Sequence, residues 1–257
     1  MQKNILITGC SSGIGLTAAR YLHSQGYRVL AACRKADDVE RMNQMGFTGI
    51  RLDLDDENSV SEAARQVLTL CDNQLDGLFN NGGYGVYGPL ETLSRQQVEQ
   101  QFSTNLFGTH QLTMLLLPAL RASGRGRIIN TSSVLGIIST PGRGVYAASK
   151  YALEAWSDAL RMELHGSGVK VSLIEPGPIR TSFSGNVRQS EQDNPVKNPP
   201  IAAWFSLPPE AILPKLRHAL ESERPRLRYP VTLVAHAMSW FRRLLPGWVL
   251  DRILRAK

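Results

Sequence analysis

The sequence predicts an α/β chain organised on one doubly wound parallel sheet of about seven strands, with helices on both faces. Three observations carry this expectation. Short apolar runs alternate with stretches of helical periodicity over most of the 257 residues. The first run, Asn4-Ile5-Leu6-Ile7-Thr8, leads directly into a glycine-rich turn and a helix. Later runs end in Asn80-Asn81, Ser132-Ser133 and Pro176-Gly177, polar or turn-forming residues at the carboxyl ends of strands, where open sheets of this class hold their ligands.

After the first strand, Gly9, Gly13 and Gly15 make the turn, and Leu16, Ala19, Tyr21 and Leu22 recur at helical spacing behind it. The first glycine allows a tight turn, the second lets backbone N–H groups approach a pyrophosphate, and the third allows close packing of a helix whose positive end faces the phosphates. Ordinary turns use glycines too; the flanking strand and helix favour the phosphate-binding reading. The second strand, 27–33, ends in Arg34-Lys35. A free ribose 2′-hydroxyl calls for an acid at that point, whereas a guanidinium suits a 2′-phosphate, so NADP(H) is expected over NAD(H). For Arg34 the plainer alternative is a solvated charge at a strand end.

A helix over 37–46 precedes the third strand, 47–56, whose end places Asp53 and Leu54 beside an adenine. A helix over about 58–71 and a fourth strand, 74–83, follow, leaving Asn80, Asn81, Gly82 and Gly83 at its carboxyl end. Residues 95–120 read as one long helix with Asn105 among its apolar positions, a buried amide in need of a partner. The fifth strand runs over 124–133, a helix over 144–166, the sixth strand over 168–181, a further helix over 210–222 and a last strand over 226–234. Residues 183–208, rich in Ser, Gln, Asn and Pro, read as a substrate lid or loop. With no repeat and no linker, residues 1–257 are expected to form a single domain.

Net charge is +7, but residues 1–214 carry nineteen basic and nineteen acidic side chains, while residues 215–257 carry ten against three. The excess therefore belongs to a basic amphipathic C-terminal appendage, and a neutral body argues against a nucleic-acid partner. Cys10, Cys33 and Cys71 are scattered, odd in number and lack metal-ligand spacing, so neither a disulfide framework nor a metal site is expected. The short apolar run at the N-terminus resembles neither a signal peptide nor a span, and a cytoplasmic location is expected.

The chemistry is concentrated between Ser133 and Lys150. Tyr146 and Lys150 are four apart, on one face of the predicted helix and a turn from each other. Ser133 sits at a strand end upstream. A hydroxyl, a phenol and an ammonium brought together can polarise a carbonyl, protonate it and tune the proton donor. Alone, a Tyr and a Lys four apart are a common amphipathic pair; the ordered strand and loop contexts around them favour catalysis.

Taken together, these residues resemble the short-chain dehydrogenase/reductase family, in its compact single-domain branch with a Rossmann-type fold, over nearly the whole chain. Thr8-Gly9-Cys10-Ser11-Ser12-Gly13-Ile14-Gly15 is similar to the family's glycine loop, Asp53 to its adenine-contacting acid and Asn80-Asn81-Gly82-Gly83 to its Asn-Asn-Ala-Gly element, with Gly82 in place of the alanine. Asn105, Ser133, Tyr146 and Lys150 match its catalytic tetrad, and Pro176-Gly177 through Ile179 and Thr181 its nicotinamide-side segment. The resemblance implies cofactor contacts from Gly9, Ser11, Ser12, Gly13, Ile14, Gly15, Arg34, Asp53, Leu54, Asn80, Gly82, Tyr146, Lys150, Pro176, Gly177, Ile179 and Thr181. It implies Tyr146 as proton donor in reduction, Ser133 as hydrogen-bond donor to the substrate oxygen, Lys150 on the nicotinamide ribose and Asn105 holding a water that links Lys150 to solvent. A phenol titrates near ~10, and the Lys150 ammonium and an oxidised nicotinamide are both expected to favour its ionisation. The finer likeness is to NADP(H)-preferring reductases of aldehydes, steroids and retinoids.

Tyr84, Val86, Tyr87, Leu135, Val145 and Phe183 are expected near the reacting carbon, with Ser133, Leu135, Tyr84 and Phe183 contacting substrate. These residues favour a neutral, apolar carbonyl or alcohol, unless Arg143 or Arg180 points inward. The expected activity is NADPH-dependent reduction of aldehydes or hydrophobic ketones, reversible as an alcohol dehydrogenase. The alternative of another class is a catalytically idle NADP(H)-binding sensor or scaffold. For the tail, with Trp240, Phe241, Leu244, Leu245, Trp248, Leu250 and Ile253, two readings stand: a helix lying on an anionic membrane surface, or one packed on the body or on a second subunit of a homo-oligomer.

Overall fold

The computed structural model describes residues 2–181, 183, 187–189 and 205–255, without the side chains of 188 and 189. Its centre is a seven-stranded, all-parallel sheet. The strands are β1 (Asn4–Thr8), β2 (Arg28–Cys33), β3 (Thr48–Arg51), β4 (Gly77–Asn80), β6 (Arg127–Thr131), β7 (Lys170–Glu175) and β9 (Arg228–Pro230), in spatial order β3-β2-β1-β4-β6-β7-β9. The order reverses beside β1, between β2 and β4. This is the switch point at which doubly wound sheets open a crevice at their carboxyl edge.

Helices α1 (Gly13–Ser24), α2 (Ala36–Gln44), α3 (Glu57–Leu70), α4 (Arg95–Phe102), α5 (Gly108–Ala122), α6 (Gly144–Glu163) and α7 (Leu213–Glu221) accompany the strands. Alternate strand residues feed two cores. Leu6, Leu30, Ile50, Leu78 and Ile128 pack on one side with Val60, Val67, Leu112 and Leu116, while Ile5, Ile7, Val29, Phe79 and Ile129 pack on the other with Ala18, Leu22, Leu216 and Ala219. Strands apolar on both faces are what a sheet covered by helices on both sides requires. Truncating one such Leu or Ile costs about 2–5 kcal/mol.

Three expectations are corrected and one element is added. The single helix over 95–120 is two α-helices joined by a π-helical turn, Ser103–Phe107. The last strand stops at Pro230, because Thr232 accepts a hydrogen bond from the Ala235 N–H and starts α8 (Leu233–Leu244); α9 (Gly247–Leu254) follows. The basic appendage is shorter than 215–257, since α7 and β9 belong to the core and the tail begins at Leu233. Finally, β5 (Val86–Tyr87) and β8 (Arg188–Gln189) form a small parallel pair that no periodicity announced. Of the lid expected over 183–208, residues 184–186 and 190–204 lie outside the described residues. Its far end is tied down, with the Leu207 N–H bonded to the Pro178 carbonyl and the Arg180 N–H to the Leu207 carbonyl.

Candidate active site

The glycine turn forms a cradle with no room for side chains. Gly9 has φ +71°, and a Cβ there would come within 2.9 Å of the Gly82 Cα; a Cβ on Gly15 would collide with the Gly9 carbonyl oxygen. Ser12 is the N-cap of α1 but its side chain does not cap, and the first turn of the helix holds no acidic residue. The first N–H groups of α1 are thus left for an outside acceptor, beside backbone a ligand can approach closely, and this fits a dinucleotide pyrophosphate. Ser11 and Ile14 lie on the same turn, and Gly13 faces the Thr181 side chain, closing the cradle from the far side of the sheet.

Two side chains hold the cradle in register. Thr8 Oγ1 accepts from the N–H groups of Asn81 (2.9 Å) and Gly82 (2.7 Å), and Asn81 Nδ2 donates to the Thr8 carbonyl at 3.1 Å. Asn81 Oδ1 accepts from Thr131 Oγ1 at 3.4 Å, so one amide spans the ends of β1, β4 and β6. Asn80 turns the other way. Parallel register sets it opposite Asn130, and its Nδ2 donates to Asn130 Oδ1 (2.9 Å) and Thr113 Oγ1 (3.1 Å) in a buried polar ladder. Its side chain therefore serves the sheet, and only its backbone reaches the edge.

At the end of β2, Arg34 is exposed and makes no hydrogen bond or ion pair with another described residue. Arg41, which sequence reasoning missed, reaches from α2 to the Ser11 carbonyl (2.6 Å) while paired with Asp38 (2.8 Å). A cation one helix away along the same edge was the available signal. Asp53 lies just beyond β3, its N–H held by Ser59 Oγ at 2.9 Å, and Leu54 packs against Gly82.

The catalytic candidates converge from three elements. Ser133 follows β6 and caps a short 3-10 turn, its Oγ accepting from the Leu135 N–H at 3.1 Å; the Val134 N–H bonds the Pro176 carbonyl at 2.8 Å, which docks the 176–181 segment beside it. Tyr146 and Lys150 lie a turn apart on α6, both buried. Burial pushes the Tyr146 phenol well above its ordinary range, with the nearby Tyr87 adding to the rise, and a hydrogen bond with Ser133 works in the opposite direction. Ser133 is thus a neighbouring group that works against that rise. The Lys150 ammonium donates to the Thr131 carbonyl at 2.8 Å, and its Nζ stands 5.9 Å from the Tyr146 ring centroid. Burial brings its pKa down to about 8, against which the Glu154 carboxylate acts.

Asn105 sits in the π-helical turn, Ser103–Phe107. Its Nδ2 donates to the Tyr84 carbonyl (3.0 Å) and Ser149 Oγ (3.1 Å), and its Oδ1 accepts from the Tyr84 N–H at 3.2 Å. A Cβ on Gly83 would meet both Asn105 Oδ1 at 2.9 Å and Lys150 Nζ at 3.9 Å, so the amide and the ammonium flank the same point. Tyr84, expected on the substrate, has its backbone clamped by Asn105 and by Gln101 Nε2 at 2.9 Å.

The wall around Tyr146 is apolar. Leu135, Ile138, Tyr146 and Ala147 form a buried cluster against which Tyr87, Val134, Phe183, Met238 and Leu254 pack. Tyr87 and Phe183 set their rings 5.9 and 5.7 Å from that of Tyr146. Arg143 lies over the Tyr87 ring at 5.3 Å and Arg180 donates to the Ser206 carbonyl at 3.1 Å, so each cation has a protein partner. Met238 and Leu254 come from the tail, and no local pattern could have assigned them here. Behind Lys150, Arg228 on β9 gathers Glu154 (3.0 Å), Asp158 (2.6 Å) and Glu175 (3.3 Å) into a cluster spanning α6, β7 and β9. Burial there pushes Glu175 up to about 7, helped by Glu154.

A sheet with its switch point beside an uncapped glycine cradle, and a hydroxyl, phenol and ammonium at the same edge, defines a dinucleotide-type α/β oxidoreductase. The chain matches the short chain dehydrogenase family over residues 3–192 and belongs to it. It is 66% identical over 255 residues, 99% of this chain and 95% of the relative, to the uncharacterized oxidoreductase YbbO of Escherichia coli K12. It is 34% identical to human retinol dehydrogenase 5, covering 97% of this chain and 87% of that protein. Among solved structures, a short-chain dehydrogenase from Streptomyces avermitilis superposes with a TM-score of 0.82 at 28% identity, covering 98% and 93% of the two chains. An alcohol dehydrogenase from the archaeon Thermococcus sibiricus, complexed with 5-hydroxy-NADP, does so with 0.78 at 25% identity, covering 91% and 98%.

Proposed function

We propose that this oxidoreductase reduces neutral, apolar carbonyl compounds, aldehydes or hydrophobic ketones, to alcohols with NADPH, and runs in reverse as an alcohol dehydrogenase. One observation carries the reading: Tyr146 is buried in an apolar cluster with Leu135, whose N–H is held by Ser133 Oγ, and Arg143 and Arg180 each have a protein partner. NADPH, when bound, supplies the hydride. Gly9, Gly13, Gly15 and the first turn of α1 would hold its pyrophosphate, Asp53 its adenosine side, and Arg34 the 2′-phosphate. The 5-hydroxy-NADP in the archaeal alcohol dehydrogenase supports that choice.

Ser133 donates a hydrogen bond to the substrate oxygen as negative charge develops there, and Tyr146 delivers the proton. A phenol held above its ordinary range is protonated at neutral pH, the state that reduction needs. The Lys150 ammonium stabilises the phenolate left behind, and Asn105 fixes the loop at Tyr84 that borders the site. The aromatic and aliphatic wall favours apolar substrates. Curated relatives named retinol dehydrogenase 5 and 3-ketodihydrosphingosine reductase, both with lipid-like names, support the same class. Three free, buried cysteines fit a reducing, cytoplasmic setting, and no helix among the described residues is long and apolar enough to cross a membrane.

The test is a panel of aldehydes, ketones and sterols followed by NADPH oxidation. Turnover of apolar members with little on carboxylated or phosphorylated ones is expected. NADPH binding without turnover of any compound would favour the idle sensor.

A further inference from the structure

The tail has two apolar faces, and only one is used. Ala235 and Met238 on α8, and Leu250 and Leu254 on α9, face the body, Met238 and Leu254 reaching the cluster around Tyr146. Positions 233, 240 and 244, seven and four residues apart, fall on the other side of α8 at helical spacing. There Leu233 is 70%, Trp240 61% and Leu244 69% exposed, and on α9 Trp248 is 71% exposed. Exposed cations lie at its ends. Arg242 and Arg243 stand in the last turn of α8, and Arg252 and Arg255 lie with Trp248 and Asp251 around one surface depression on α9, Arg255 being paired with Asp251 at 3.2 Å.

We propose that α8 and α9 form a docking surface for an anionic membrane, lying in its interface with Leu233, Trp240, Leu244 and Trp248 in the acyl boundary. Charge decides among occupants. Residues 233–257 carry five basic side chains against one acidic, more than half of the chain's net charge of +7, so the tails of two copies repel, whereas anionic headgroups are attracted. Tryptophan and leucine beside arginine is the composition that settles at the headgroup level. Docking would bring the wall at Met238 and Leu254 next to lipid, a source from which an apolar substrate can enter. The surface stands on its own exposure and charge, whatever the reaction.

The experiment is cosedimentation of the full chain with vesicles of phosphatidylcholine alone and of phosphatidylcholine with phosphatidylglycerol. Wild type, Trp240→Ser/Leu244→Ser, Trp248→Ser and Arg242→Glu/Arg252→Glu are compared, with circular dichroism confirming the fold and light scattering giving the mass without lipid. Expected is binding to the anionic vesicles only, weakened at least roughly tenfold by each variant and by high salt, with activity on a water-soluble aldehyde unchanged. Absence of binding at low salt overturns the proposal, as does equal binding to neutral vesicles. A lipid-free wild-type dimer that the apolar variants convert to monomer also overturns it, assigning the face to a second copy.

Discussion

Glu154 lies one helical turn beyond Lys150 on α6, and its carboxylate holds the Lys150 proton on against the burial that would strip it. The acid is in turn gripped by Arg228 at 3.0 Å. The Lys150 ammonium is thus supported by a carboxylate that an arginine holds in place.

With Lys150 at about 8, carbonyl reduction should decline as pH rises through that value and the ammonium is lost. Glu154→Gln removes the supporting negative charge and moves the decline to lower pH. At pH 8 this predicts about a two- to fivefold loss of kcat/KM that disappears near pH 6.5. A pH profile of both enzymes checks it; superimposable profiles would make Glu154 purely structural.

The same cluster predicts a stability slope. Glu175 is raised from its ordinary 4.5 to about 7, so between those values the folded chain holds a proton that the unfolded chain has released. Its favourable contribution is complete below the unfolded value and is lost as pH rises through the folded one. Denaturant melts from pH 4.5 to 7.5 should show wild type losing roughly 1–3 kcal/mol relative to Glu175→Gln. Parallel curves would contradict the shift.

Arg34→Asp should raise the KM for NADPH by roughly ten- to a hundredfold while leaving NADH within a few-fold, because only the 2′-phosphate loses its partner. Initial rates with the two cofactors decide. Arg41→Ala is the useful companion, since its bond to the Ser11 carbonyl supports the loop and should weaken both cofactors together.

Much of this site was legible because its signals are local. The glycine turn sits between its strand and helix, and Tyr146 and Lys150 need only a helix to share a face. The sequence marks Asn105 as a candidate but not the π-helical turn that holds it, because nothing in Ser103–Phe107 signals the wider i→i+5 bonding. For Asn80 the sequence does not show which way the side chain turns; only the pairing of β4 with β6 sets it against Asn130. The Arg228 cluster joins residues 154, 158, 175 and 228, and only the first two are helical neighbours. Met238 and Leu254 were equally out of reach, since an apolar stripe in a tail does not say which surface it covers.

Replacing Tyr146 by phenylalanine tests the central claim most directly, because it deletes the proton and keeps the ring packed between Tyr87 and Phe183. With an apolar aldehyde that the wild type turns over, NADPH oxidation should fall by roughly 10²–10⁴-fold while the Kd for NADPH stays within a few-fold. Turnover within about threefold of wild type would contradict the account.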